Sequence, residues 1–147
     1  MSGNKGAPAG RMLGLDMGER RIGVALSDEL GMIASPLTMV LRSGPVVQDV
    51  QKLIAQYGIS QLVVGLPVGM SGREGPQAAD VRAYTESIAG EFDLPLVYWD
   101  ERMTTSIAEQ YLIAQGTRRD KRKQQVDAVA AAVMLQSYLD HLRWKRR

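Results

Sequence analysis

The stretch MLGLDMGERRIGVALSDE, residues 12–29, decides the fold. A short apolar run gives way to a glycine-containing turn, after which Ile22, Val24 and Leu26 alternate with Gly23, Ala25 and Ser27. Period-two patterning on both sides of a turn is the signature of a β-hairpin. In its first strand Leu13 and Leu15 share one face, and Gly14 and Asp16 share the other, the open one. Asp16 thus sits within a core strand beside a residue that has no side chain. A core strand gains nothing from an aspartate, so this position asks for a chemical explanation.

Working outward, MIASPLTMV (32–40) reads as a third strand in which Pro36 implies an edge position or a break. SGPVVQDVQKLIAQYG (43–58) reads as a helix, with Ser43 as cap candidate, Pro45 in the first turn and Gly58 as the stop. SQLVVGLP (60–67) is a buried strand that runs into PVGMSGREGPQ, whose glycines and prolines exclude regular structure. Helical spacing resumes through Ala79, Val81, Tyr84, Ile88, Ala89 and Phe92, and LPLVYW (94–99) is the next buried strand. Ser106 and Glu109 fit a capping box for a helix that opens around 104–106 and runs to Gly116. TRRDKRKQQ (117–125) reads as a basic connection before a final Ala-rich helix, VDAVAAAVMLQSYLDHL (126–142). A hairpin followed by strand–helix alternation implies a mixed sheet, antiparallel at the start and parallel later, in a three-layer α/β architecture. The expected organisation is a disordered arm over 1–11, one domain over 12–142 and a basic tail over 143–147.

Composition narrows the chemistry. At 147 residues, 45% hydrophobic and 23% charged, the chain suits a single globular domain. There is no cysteine and one histidine, His141, which removes disulfides, thiolate nucleophiles and most zinc or Ser-His-Asp sites. No run has the length or apolarity of a signal peptide or membrane span, so a cytoplasmic protein is expected. Charge is divided: residues 1–115 carry 9 Lys/Arg against 13 Asp/Glu, and residues 116–147 carry 9 against 3. The basic end suggests a polyanionic partner.

Acid chemistry must therefore come from carboxylates. Asp16, the adjacent Asp100 and Glu101 at a strand end, and Asp127 at the start of the Ala-rich helix all stand where polar groups are awkward. Buried carboxylates are costly unless paired, protonated or bound to a cation. Oxygen ligands without Cys or His favour Mg2+ or Mn2+, and two such ions about 4 Å apart can drive phosphodiester hydrolysis. Ordinary readings exist for each: Asp127 as a helix N-terminal charge, Asp100 as a cap, Glu101 as a surface partner of Arg102. The loop bearing Arg73, the turn bearing Arg20 and Arg21, and the basic run Arg118, Arg119, Lys121, Arg122 and Lys123 are candidates for phosphate contact, as is Arg102.

Taken together, LGLDMGERRIGVALSD, VVGLPVGMSGREG, DERMTT and VDAVAAAVMLQSYL resemble, in order and from about Met12 to Leu139, the bacterial YqgF family, also called RuvX or pre-16S rRNA nuclease. The resemblance implies a ribonuclease H-like fold with a five-stranded mixed sheet, and carboxylates converging above its centre. By motif match it makes Asp16, Glu101 and Asp127 the catalytic and metal-binding residues. Alternation along LVYWDE puts Asp100 and Glu101 on opposite faces. The family match then selects Glu101 and leaves Asp100 as a supporting neighbour or cap, although a twist at the strand end could exchange them. Related junction resolvases carry two aspartates on the last helix, whereas here Ala130 follows Asp127 by one turn. The implied activity is metal-dependent cleavage of nucleic acid, either structured RNA at the 5′ end of precursor small-subunit ribosomal RNA or branched DNA. Holliday-junction resolution would require a homodimer. The reading from another class is a non-catalytic nucleic-acid-binding or regulatory protein.

Overall fold

In the computed structural model the described residues are 10–68, 72–102, 104–116 and 119–145. Strands β1 (Arg11–Met17) and β2 (Arg21–Ser27) form the expected hairpin, with Leu15 opposite Val24 and Asp16 opposite Gly23. The Gly18 N–H donates to the Arg21 carbonyl at 2.9 Å and closes the turn. Strand β3 (Ala34–Leu41) pairs antiparallel with β2 and lies at the sheet edge, where Pro36 coincides with a slip in register. An edge tolerates the missing N–H, so the strand continues through the proline.

Helix α1 (Val46–Tyr57) starts after Pro45, with no side-chain cap. Ser43, the expected cap, lies too far upstream to serve. Gly58 ends the helix in the left-handed region, φ +64°, with its N–H on the Ile54 carbonyl. Strand β4 (Ile59–Leu66) pairs parallel with β1, and helix α2 (Pro76–Ala89) leads to β5 (Leu96–Asp100), parallel with β4. The order is β3-β2-β1-β4-β5, the mixed five-stranded sheet expected from the sequence. Helices α3 (Thr104–Ala114) and α4 (Arg119–Lys145) complete the chain.

Three sequence expectations change here. The basic stretch is no connection: α4 is already helical at Arg119, so Asp127 is its ninth residue, more than two turns from the start. The run also begins to be described only at Arg119, and Thr117 and Arg118 lie outside the described residues. At the ends, β1 includes Arg11 and α4 continues to Lys145, into stretches assigned to an arm and a tail; residues 1–9 and 146–147 lie outside the described residues.

The two sheet faces bury different partners. Leu13, Leu15, Ile22, Val24, Leu62 and Val64 pack on one side with Val46 and Val50 of α1 and Val81 of α2. On the other, Met12, Ala25 and Val63 meet Ala131, Met134, Leu135 and Leu139 of α4. Each fully buried side chain of this size contributes about 1.5–3 kcal/mol, which fixes the helix to the sheet. Gly14 lies directly under Leu135, where a Cβ would come within 3.0 Å of the leucine Cβ. The face that carries Asp16 is therefore roofed by α4, not open. Trp99 of β5 packs against the same helix, donating Nε1–H to Ser137 Oγ at 3.1 Å, with its ring 5.3 Å from Tyr138 and 4.8 Å from His141. Helix α3 packs behind α4 through Ala108 and Leu112 against Val129 and Ala130.

Candidate active site

Asp16 is the last residue of β1 that pairs on both sides, opposite Gly23 of β2 and Gly65 of β4. These two glycines set the geometry. A side chain at Gly23 would overlap the Asp127 carbonyl, so α4 can cross β2 there only because the strand is bare. A side chain at Gly65 would overlap the Glu101 carboxylate, so that group reaches over β4 only for the same reason. Gly65 thus admits the Glu101 carboxylate beside Asp16, and Gly23 admits the backbone of α4 at Asp127. The sequence reading passed over Gly23 and Gly65, although a glycine inside an apolar strand is itself a sign of close approach.

Glu101 keeps the alternation of β5. Its N–H donates to the Leu66 carbonyl at 3.1 Å, which extends the ladder one residue beyond the strand. Tyr98 joins the α1–α2 side and Trp99 the α4 side, so Asp100 and Glu101 diverge as expected. Asp100 instead receives the Arg102 N–H at 3.0 Å on Oδ1 and the guanidinium at 2.7 Å on Oδ2. Arg102 is thereby tied to Asp100 and is not the partner of Glu101 considered from the sequence.

The electrostatics follow from burial. Desolvation, then a hydrogen bond and charge from Asp16, then the charge of Asp100, push Glu101 up to about 10. Burial raises Asp16, opposed by its hydrogen bond with Glu101. Two buried acids in such contact disfavour joint ionisation. Burial also raises Asp127, countered by Arg21 and reinforced by Asp16. The Arg21 Nε lies 2.9 Å from Asp127 Oδ2. That oxygen is buried and receives no well-aligned hydrogen bond, so the contact is one of charge. Mid-helix placement removes the helix-terminus explanation for Asp127.

Asp16 and Glu101 meet at one end of the sheet, and Asp127 lies near enough to feel the charge of Asp16. Among the described residues no three acidic side chains surround a single point, because Asp127 is turned to Arg21. The donor set nevertheless fits a hard divalent cation: all oxygen and largely buried, with Asp127 Oδ2 offered no aligned donor.

Two arginines stand at this end. Arg20 and Arg21 line a cleft of about 520 Å³ with Gly18, Glu19, Leu41 and Asp127. Arg42, which sequence reasoning missed, braces the turn: Nη1 donates to the Gly18 carbonyl at 2.9 Å, its N–H donates to the Arg20 carbonyl at 2.8 Å, and its guanidinium lies 3.9 Å over the Tyr84 ring. No local pattern signals a contact spanning three elements. Arg73 is exposed in the β4–α2 loop, whose base is closed by a Val68–Glu74 bridge and a two-pronged Arg82–Glu74 ion pair; residues 69–71 lie outside the described residues. Arg119, Lys121, Arg122 and Lys123 fall on the first turns of α4, and Arg118 lies outside the described residues.

Comparison with known proteins gives a consistent result. A family model described as "RuvX: Holliday junction resolvase" matches residues 10–141. A protein of Symbiobacterium thermophilum named "Putative pre-16S rRNA nuclease" is 47% identical over 133 residues, covering 88% of this chain and 92% of its own. Relatives with the same name in Pelotomaculum thermopropionicum (45%; 88% and 86% covered) and Geobacillus kaustophilus (43%; 90% and 99% covered) are similarly close. Among solved structures, T. thermophilus RuvC in complex with Holliday junction substrate superposes with TM-score 0.52 at 16% identity, covering 89% of this chain and 94% of that one. Fowlpox virus resolvase with Holliday junction DNA does so with TM-score 0.52 at 9% identity, covering 90% and 98%. At such identities these two establish the ribonuclease H-like fold.

Proposed function

The chain belongs to the RuvX family, and we propose that it is a divalent-metal-dependent endonuclease whose substrate is structured RNA, the 5′ end of precursor small-subunit ribosomal RNA. The observation that carries this reading is the Glu101 carboxylate reaching Asp16 over the bare Gly65, with Asp127 carried nearby on the helix that crosses at Gly23. Such a costly gathering of buried acids has no structural return unless a cation or proton compensates it. The names of close relatives support RNA as substrate. A cytoplasmic setting fits this reading, and among the described residues no helix is long and apolar enough to cross a membrane.

Asp16, Glu101 and Asp127 would hold Mg2+ or Mn2+. When bound, the ion supplies Lewis acidity and lowers the pKa of water for attack on phosphorus. Hydrolysis adds hydroxide to phosphorus and a proton to the departing oxygen. The residues of the chain do the rest. Asp16 and Glu101, which burial pushes toward the protonated form, would ionise to serve as ligands and release their protons to solvent. Asp100 holds Arg102 at the rim, and Arg20 and Arg21 would present guanidinium groups to the backbone in the adjoining cleft. Further backbone contacts would come from Arg73, Arg102 and the basic run 118–123.

Junction resolution is the second reading, favoured by the family model's description. It requires a homodimer with two sites, and Ala130 in place of an acid one turn after Asp127 tells against it. The test is a cleavage panel of 5′-extended ribosomal RNA precursor, four-way junction, flap and single strand with Mg2+ and Mn2+. RNA precursor should be cut, and Asp16→Asn should lose at least about 100-fold while melting normally. Undiminished cleavage by folded Asp16→Asn protein overturns the mechanism. Cleavage of the junction alone, by a dimer, selects the second reading. Tight binding with no metal-stimulated cleavage of any substrate selects a non-catalytic role.

A further inference from the structure

We infer that Arg21 is a latch on the metal site: in the free protein it occupies Asp127, and a nucleic-acid phosphate entering the neighbouring cleft draws it away and releases Asp127 as a ligand. This rests on the reading of Asp127 as a metal ligand and adds that metal and nucleic acid bind cooperatively through one arginine.

The geometry supports each part. Arg21 is the first residue of β2, two residues before Gly23, where α4 crosses the strand. Its Nε lies 2.9 Å from Asp127 Oδ2, with Arg21 47% and Asp127 24% exposed, so the guanidinium is more open to an incoming ligand than the carboxylate it covers. Poor alignment leaves charge as the main hold on the pair. Both residues line the cleft of about 520 Å³, together with Arg20. A phosphate offers the guanidinium a better-matched, two-pronged partner.

Each single ligand meets an obstacle that the other removes. A divalent cation binding alone must displace Arg21 and then lie beside a displaced positive charge. A phosphate binding alone takes Arg21 and leaves Asp127 buried and uncompensated. Bound together, phosphate holds the guanidinium and the cation holds the carboxylate. The coupling is reciprocal, since each ligand raises the affinity of the other by the same factor. In this arrangement the site fills when a strand is present and stays poorly metallated otherwise.

The test measures Mn2+ binding to the full chain from the paramagnetic resonance signal of free Mn2+, with and without a non-cleavable 2′-O-methyl RNA oligonucleotide. The oligonucleotide's own Mn2+ uptake is measured separately and subtracted. In the wild-type protein the oligonucleotide should tighten Mn2+ binding about 5–20-fold. Arg21→Gln should bind Mn2+ tighter by a similar factor without oligonucleotide and gain little on its addition. Arg21→Lys should restore part of the coupling. Arg20→Gln removes the same charge from the same cleft; it should weaken oligonucleotide binding yet, at saturating oligonucleotide, leave the coupling in place. If Arg21→Gln shows unchanged or weaker Mn2+ affinity and keeps the wild-type response to oligonucleotide, the latch is wrong and the metal site stands. If Arg20→Gln matches Arg21→Gln, general charge and not a latch is responsible. If no variant binds Mn2+ in either state, both the latch and the metal-site reading fail.

Discussion

Single residues decide how closely the acids approach. A Cβ at Gly23 would strike the backbone of α4, which cannot yield without lifting the helix. Gly23→Ala should therefore lower the melting temperature by roughly 5–15 °C, read by circular dichroism. At Gly65 the obstacle is the Glu101 side chain, which can rotate aside. Gly65→Ala should melt within a few degrees of wild type yet lose cleavage about 100-fold or more. Equal damage to stability in both variants would refute this distinction. Asp16 and the divergence of Asp100 and Glu101 were legible because strand alternation is a local property. The Arg21–Asp127 pair, the Arg102–Asp100 pair and the brace at Arg42 were not, since each depends on where other segments arrive.

At the scale of elements, α4 carries the part that reading from sequence got wrong. TRRDKRKQQ lacks apolar periodicity, which is why it reads as a connection. Lys, Arg and Gln are nonetheless good helix formers, so a helix buried further along can extend through them. The eight residues 119–126 add about 12 Å of helix before Asp127. They carry cations on a continuous element that also holds a candidate ligand. Replacing Lys121, Arg122 and Lys123 together by Gln should weaken duplex binding and reduce the slope of log K against log salt by up to about 2–3. The melting temperature should hardly change. A salt slope equal to wild type would show that these turns do not meet the backbone. Elsewhere, Pro36 at an edge and Gly58 at a helix stop were readable because their backbone limits are intrinsic, whereas Ser43 lost its cap role to the start fixed by Pro45.

For the whole molecule, the acids make stability depend on pH in a defined direction. Glu101 in the folded chain titrates at about 10 against an ordinary 4.5, and Asp16 and Asp127 are also raised. A raised folded pKa contributes stability that is fully present below the unfolded pKa and is lost as pH climbs through the folded one. Without divalent cations, the melting temperature should thus fall between pH 6 and pH 9, read by calorimetry. Glu101→Gln should flatten that fall and raise the pH 9 value by about 2–6 °C. Mg2+ or Mn2+ should offset it, because the ionised acids are the ligands. A melting temperature that rises over this window without metal would contradict the protonated pair. The mixed sheet and its helices could be anticipated from strand patterning, whereas the order β3-β2-β1-β4-β5 could not, since periodicity does not record which strands become neighbours.

The seat of Trp99 against α4 has an optical consequence. The chain has two tryptophans, and Trp144 is 73% exposed, whereas Trp99 lies against Tyr138 and His141 only two residues from Glu101. In a Trp144→Phe protein the remaining indole emission would come from the seam between β5 and α4. Its colour and intensity would follow the seating of that helix in real time, with no attached dye, while ligands arrive at the other end.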